Sequence, residues 1–170
     1  MNRIFLIGYM GSGKTTVGKQ LSKKLNYSFL DMDSHIEETM FKSVSQIFSD
    51  LGEEEFRQIE KRTLHEVAEF ENVIISTGGG APCFFDNMDF MNSHGTTIYL
   101  KVTPEQLTAR LEAAKGSKRP LIAERTGAEL LKFIAEGLAK REPFYAKAQY
   151  TLDGDAPDIV EQICKILTGL

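Results

Sequence analysis

Apolar residues along this chain fall into two rhythms, short unbroken runs and longer stretches with helical spacing. Arg3–Gly8 is an apolar run closed by glycine, as expected of a strand buried on both faces of a parallel sheet. Lys14–Leu25 follows with Val17, Leu21 and Leu25 at helical spacing, and Ser28–Asp31 reads as a second strand. Ser43-x-x-Gln46 has the form of a capping box ahead of Ile47, Phe48 and Leu51. Gly52 interrupts, and Glu53–Phe70 reads as a longer helix whose three leading glutamates suit the positive end of its dipole. Val73–Ser76 is a third buried strand that runs into Thr77 and Gly78-Gly79-Gly80.

Thr96–Val102 is a fourth strand. Thr103-Pro104-Glu105-Gln106 then supplies an N-cap, a proline at the first helical position and a glutamine three residues past the cap. That helix is expected to end near Ala113 or Ala114. Lys115–Arg125 is polar, basic and broken by Gly116 and Pro120, so it reads as a loop. A helix over Ala128–Lys147, a strand at Tyr150–Leu152 and a helix over Pro157–Leu167 complete the pattern. Short strands alternating with helices predict an α/β fold: a five-stranded parallel sheet flanked by helices on both faces. Ligands of such sheets collect at the carboxyl ends of the strands.

No repeat, low-complexity tract or linker divides the sequence, so residues 1–170 read as one unit. A chain of 170 residues buries roughly 70% of its unfolded surface and needs no disulfide or structural metal. Hydrophobic residues at 42% and charged residues at 26% exclude disorder, collagen and coiled coil. No apolar run approaches the ~20 residues of a membrane helix, and the N-terminal one is too short for a signal peptide. The expectation is a cytoplasmic, enzyme-sized unit with no membrane partner, and a monomer by default.

The 24 acids and 20 bases leave a formal charge of −4, which argues against a nucleic-acid partner. The charge is unevenly spread. Asp31–Glu71 holds twelve acids and four bases, net −8, whereas Lys115–Lys147 holds eight bases and four acids, net +4. A basic segment in an acidic chain suits a small anionic ligand, and equally a solvated helix face. Cys83 and Cys164 form no metal or disulfide spacing, and neither do His35, His65 and His94. Any metal is therefore a hard cation held through phosphate oxygens.

Gly8-Tyr9-Met10-Gly11-Ser12-Gly13-Lys14-Thr15 matches G-x-x-x-x-G-K-[ST] at the end of a strand and the start of a helix. Glycines let the backbone curl so that successive N–H groups face phosphate oxygens, and the helix dipole adds to them. Lys14 is placed for the β- and γ-phosphates, and Thr15 for Mg²⁺. The ligand implied is a purine nucleoside triphosphate. The N-K-x-D type base-reading signal of GTPases is not present, which leaves a small-molecule kinase or a nucleotide-dependent regulator.

Asp31-Met32-Asp33 closes the second strand, and alternation sends both carboxylates to one side at the ligand edge. One is placed to order Mg²⁺ through water, the other to hold an acceptor hydroxyl and take its proton. The competing role for Asp33 is N-cap of the following helix. Arg57, taken alone, reads as a surface ion pair with Glu54 or Glu60. Gly78-Gly79-Gly80 is costly in chain entropy and points to a close backbone approach, an ordinary loop being the alternative. Lys118 and Arg119, ahead of Pro120, are placed to close over a triphosphate and exclude water.

These elements resemble a known family. Gly8–Gly18, Asp31-Met32-Asp33, Ile47-Phe48 with Gly52-Glu53 and Phe56-Arg57, Gly78-Gly79-Gly80, Arg119-Pro120-Leu121 and Arg141-Glu142-Pro143-Phe144-Tyr145 are together similar to shikimate kinase, over essentially the whole chain. The resemblance implies transfer of the ATP γ-phosphoryl group to the 3-hydroxyl of shikimate, on the route to chorismate and the aromatic amino acids. It implies ATP held by Gly11, Ser12, Gly13, Lys14, Thr15 and Thr16, with Arg110 and the Pro157 region on either side of adenine. It makes Asp33 the candidate base, has Arg57 and Arg141 clamp the carboxylate, and gives Gly78, Gly79 and Gly80 backbone contacts. Thr15 binds Mg²⁺ with Asp31 orienting its water shell, and Arg119 reaches the phosphates from a mobile lid. The substrate-binding region spans about 33–71 and the lid about 113–126. The alternatives are another small-metabolite kinase, such as a gluconate kinase, and a non-catalytic ATP-binding module. The lid is long and lysine-rich, so Arg125 is a second candidate beside Arg119, and Cys83 lies close to the acceptor pocket.

Overall fold

The computed structural model describes residues 2–114 and 127–169; Lys118, Arg119 and Arg125 of the expected lid lie outside the described residues. Five strands form one sheet: β1 (Arg3–Ile7), β2 (Ser28–Asp31), β3 (Val73–Ser76), β4 (Thr96–Lys101) and β5 (Tyr150–Asp153). Their order is β2-β3-β1-β4-β5, and every neighbouring pair is parallel. Phe5 pairs with Ile75 on one side and Thr97 on the other, so β1 is hydrogen-bonded along both edges.

Alternation along β1 feeds two separate cores. Ile4 and Leu6 pack with Val17 and Leu21 of α1 (Lys14–Leu25) and Ile159 and Ile163 of α7 (Ile159–Thr168). Phe5 and Ile7 turn to the opposite layer, which α3 (Val44–Val67), α4 (Asn87–His94), α5 (Pro104–Ala113) and α6 (Gly127–Tyr145) cover. Both faces are dry, which explains why the strands read as unbroken apolar runs. A third cluster, Ile36, Ile47, Phe56 and Ile59, lies apart and joins α2 (Met32–Met40) to α3.

The predicted architecture holds, with corrections at particular elements. The second strand stops at Asp31, and Asp33 belongs to the first turn of α2. Asp31, not Asp33, is the N-cap: its side chain accepts from the Ser34 N–H at 3.0 Å, which satisfies a donor that the first turn leaves open. Gly52 does break α3, with φ 84° and ψ 167°, a left-handed conformation that glycine adopts without a Cβ penalty. The capping box at Ser43 and Gln46 is present, as is the one at Thr103 and Gln106. The longer half of α3 ends at Val67, short of Phe70, and α7 begins at Ile159, after an exposed turn holding Pro157.

Candidate active site

The carboxyl ends of β1, β2 and β3 open onto a cavity of about 560 Å³. The phosphate loop enters it between β1 and α1. Gly11 (φ 83°) and Gly13 (φ 97°) take left-handed conformations there, which curl the loop. Gly13 is the N-cap of α1 and offers no capping side chain, so the positive helix end faces the cavity. Lys14 folds over the loop, its Nζ donating to the Gly8 and Tyr9 carbonyls. Ser12 is buried beneath it, while Thr15 and Thr16 are exposed on the cavity wall.

Thr15 Oγ1 donates to Asp31 Oδ2 at 3.4 Å. A hydroxyl and a carboxylate oxygen beside a phosphate loop suit a hard cation. Among the described residues no cluster of three or more His, Cys, Asp or Glu could hold a metal, so these two oxygens need phosphate and water to complete a shell. The residues therefore fit Mg²⁺ bound together with a nucleotide. Arg110 of α5 ties the loop to the segment after β5: Nη1 donates to the Gly11 carbonyl at 3.1 Å and Nη2 to Asp155 Oδ1 at 2.7 Å. Gly154 lines the same wall, whereas Pro157 is not among the lining residues.

The other end of the cavity is built from charge. Asp33 and Gly78–Gly79 line it. A Cβ placed on Gly78 would lie 2.9 Å from both Asp33 Oδ1 and Glu60 Oε2. A Cβ on Gly79 would lie 3.2 Å from Arg141 Nη1, and one on Gly80 would lie 2.7 Å from both Arg57 Nη atoms. The glycine triplet thus makes room for the site's own side chains, in addition to any substrate. Arg57 and Arg141 pack against Gly80 and Gly79; Asp33, Gly78 and Gly79 line the cavity itself, whereas Gly80 and the two arginines are not among its lining residues.

The surface ion pair expected for Arg57 is corrected by burial. Arg57 Nη1 does bond Glu60 Oε1 at 3.0 Å and Nη2 lies 3.5 Å from Glu53, but Arg57 is 11% exposed and Glu60 1%. Its guanidinium sits 4.2 Å from the Phe84 ring centroid and 5.3 Å from that of Phe56, rings that exclude water and favour the cation. Its Nε is buried with no hydrogen-bond partner among the described residues. Arg141 lies over the Tyr9 ring at 5.2 Å, so a phosphate-loop residue supports the acceptor-side arginine.

Two carboxyls are perturbed. Burial raises the pKa of Asp33 and nearby Asp31 raises it further, while Lys14 and Arg57 pull it down. Burial pushes Glu60 up to about 7 against the opposing pull of Arg57. Such displaced carboxyls in a cleft mark a site of chemistry. Glu60 as a buried partner, Phe84, and the Tyr145 hydroxyl bonded to the Gly79 carbonyl were not legible as site features in the sequence. The only signals were helical offsets, Glu60 three residues past Arg57 and Tyr145 four past Arg141.

The shikimate kinase family model matches residues 10–168 of this chain. The chain belongs to the shikimate kinase family. A shikimate kinase of Parabacteroides distasonis is 58% identical, aligned over 98% of this chain and 100% of its own. The crystal structure of shikimate kinase from Bacteroides thetaiotaomicron superposes with TM-score 0.92 at 49% identity, covering 99% of each chain. Shikimate kinase from Acinetobacter baumannii, solved in complex with shikimate, superposes with TM-score 0.88 at 31% identity, covering 99% of this chain and 94% of its own. As a member of this family the chain is an ATP-dependent kinase. No helix among the described residues is long and apolar enough to cross a membrane.

Proposed function

We propose that this protein transfers the γ-phosphoryl group of ATP to the 3-hydroxyl of shikimate, and that the residues above take the following parts. The observation that carries the reading is the arginine pair packed against Gly79 and Gly80, on the turn whose Gly78 and Gly79 line the phosphate-loop cavity together with Asp33. A small carboxylate calls for planar, permanently charged donors, which Arg57 and Arg141 supply. Family membership favours this acceptor over gluconate and over a non-catalytic nucleotide module.

Phosphoryl transfer needs chiefly positioning and charge neutralisation. The loop N–H groups from Gly11 to Thr16 and the Lys14 ammonium hold the β- and γ-phosphates, and Arg119 is assigned to the same phosphates by the family resemblance. Arg110 and the Pro157 region bracket adenine. Thr15 would hold Mg²⁺, with Asp31 ordering its water shell, and the ion would supply neutralisation of phosphate charge. Asp33 holds the acceptor hydroxyl and takes its proton; a raised pKa brings the carboxylate closer to the proton affinity a general base wants. The acceptor carboxylate docks on Arg57 and Arg141, and Gly78–Gly80 present backbone to it.

ADP release from MgATP tests this, with shikimate, quinate, gluconate and no acceptor run side by side. Turnover is expected with shikimate alone. ATP binding without shikimate-dependent ADP release would leave the phosphate loop standing and remove the acceptor assignment.

A further inference from the structure

One peptide bond lies between the two arginines. Arg141 Nη1 crowds the Cβ position of Gly79 and both Arg57 Nη atoms crowd that of Gly80, so the Gly79–Gly80 peptide spans the gap from one guanidinium to the other. The carbonyl of that peptide accepts a hydrogen bond from the hydroxyl of Tyr145, which is 0% exposed at the foot of α6. Tyr145 stands one helical turn beyond Arg141, so the two share a face of α6.

A trans peptide carries its N–H opposite its carbonyl, and the unit is rigid. Anchoring the Gly79 oxygen therefore fixes the direction of the Gly80 N–H. That N–H has no acceptor in the turn and loop hydrogen bonds of the described residues. Tyr145 is itself held. Its ring packs against Tyr99 at a centroid distance of 5.1 Å, the Tyr99 hydroxyl donates to Glu142, and Lys101 reaches Glu142 at 3.3 Å. Burial raises the Tyr145 pKa, so the hydroxyl keeps its proton and remains a donor across the working pH range.

On the reading of function given above, we propose that Tyr145 is a positioning residue for the acceptor: by holding the Gly79 carbonyl it aims the Gly80 N–H as a third donor, between Arg57 and Arg141, at the acceptor carboxylate. Tyr145 touches neither substrate; it acts through the Gly79–Gly80 peptide, and its hydroxyl also neighbours the Arg141 guanidinium one turn back. Its contribution should fall on acceptor affinity and leave nucleotide affinity alone, because the carbonyl it holds belongs to the turn after β3 and not to the phosphate loop.

Tyr145→Phe removes the hydroxyl and keeps the ring that packs on Tyr99. In the MgATP assay the variant should show a shikimate KM about tenfold higher, the weight of one poorly aimed hydrogen bond, with kcat and the KM for ATP within about twofold of the parent. A thermal melt on the same preparation separates slackening from misfolding. A shikimate KM within about twofold of the parent would overturn the proposal while leaving the function intact, and so would a KM for ATP that rises in step with it. A parent enzyme without shikimate-dependent turnover overturns the functional reading, and the proposal with it, before any variant is made.

Discussion

Between Gly8 and Lys14 the phosphate half of the cleft is contributed by consecutive residues acting largely through backbone N–H groups. The acceptor half, on the function proposed above, takes Asp33 from α2, Arg57 and Glu60 from α3, Gly78–Gly80 from the turn after β3 and Arg141 from α6. The first is a local conformation, and it forms wherever a strand hands over to a helix through the right glycines. The second is a charge cluster whose geometry exists only when four elements are packed together. On that proposal, recognition of the nucleotide's phosphates is written in one stretch, whereas choice of acceptor depends on tertiary contacts.

Breaking the comparison from the phosphate side gives the largest effect. Lys14→Ala removes the side-chain cation from the loop and should lower kcat by about 10²–10³-fold, a loss typical of a missing transition-state donor. Shikimate binding, measured directly by calorimetry without nucleotide, should stay within about twofold. A parallel loss there would mean that the halves are not separable. From the other side, Arg141→Ala should weaken the acceptor by about 2 kcal/mol, read as shikimate KM, with the KM for ATP unmoved. An unchanged shikimate KM would take Arg141 out of the clamp.

The titratable groups sharpen the contrast, since the buried perturbed carboxyls lie on the acceptor side. Glu60 moves from an ordinary value of 4.5 to about 7 in the fold. The folded state therefore binds that proton more tightly than the unfolded one. Its contribution to stability is fully present below about pH 4.5 and is lost as pH rises through about 7. Glu60→Gln, a permanent stand-in for the neutral acid, should lack this decline. Denaturant midpoints of parent and variant at about pH 5 and about pH 8 should diverge in the variant's favour at the higher pH. Parallel midpoints would show that Glu60 titrates as it does in water.

What could be read in the sequence follows the same division. The strand runs, the phosphate loop and both capping boxes are local patterns, and the structure shows each of them. The α2 helix is legible only as the helix that Asp33 would cap, and is given no bounds, because Asp31-Met32-Asp33 reads as a strand end, although Met32, Ile36 and Met40 carry its apolar spacing. The α4 helix was missed because Asn87, Asp89, Asn92 and Ser93 read as turn residues; burial of Met88 and Met91 overrides that propensity. Arg57 was legible as an ion-pair residue, but its burial under Phe84 depends on a segment more than twenty residues away. No spacing rule along the chain encodes that contact.

The small cluster of Ile36, Ile47, Phe56 and Ile59 has a consequence for motion. It shares no member with the two layers that clamp the sheet. Ile47 precedes Gly52, and Phe56 and Ile59 follow it, so the break in α3 falls inside that cluster, while Met32 at the start of α2 belongs to the main core. Asp33 and Arg57 stand on the two helices that the cluster joins, so an acceptor gripping both would latch α2 to α3, and its departure would leave the apolar cluster alone to hold them together.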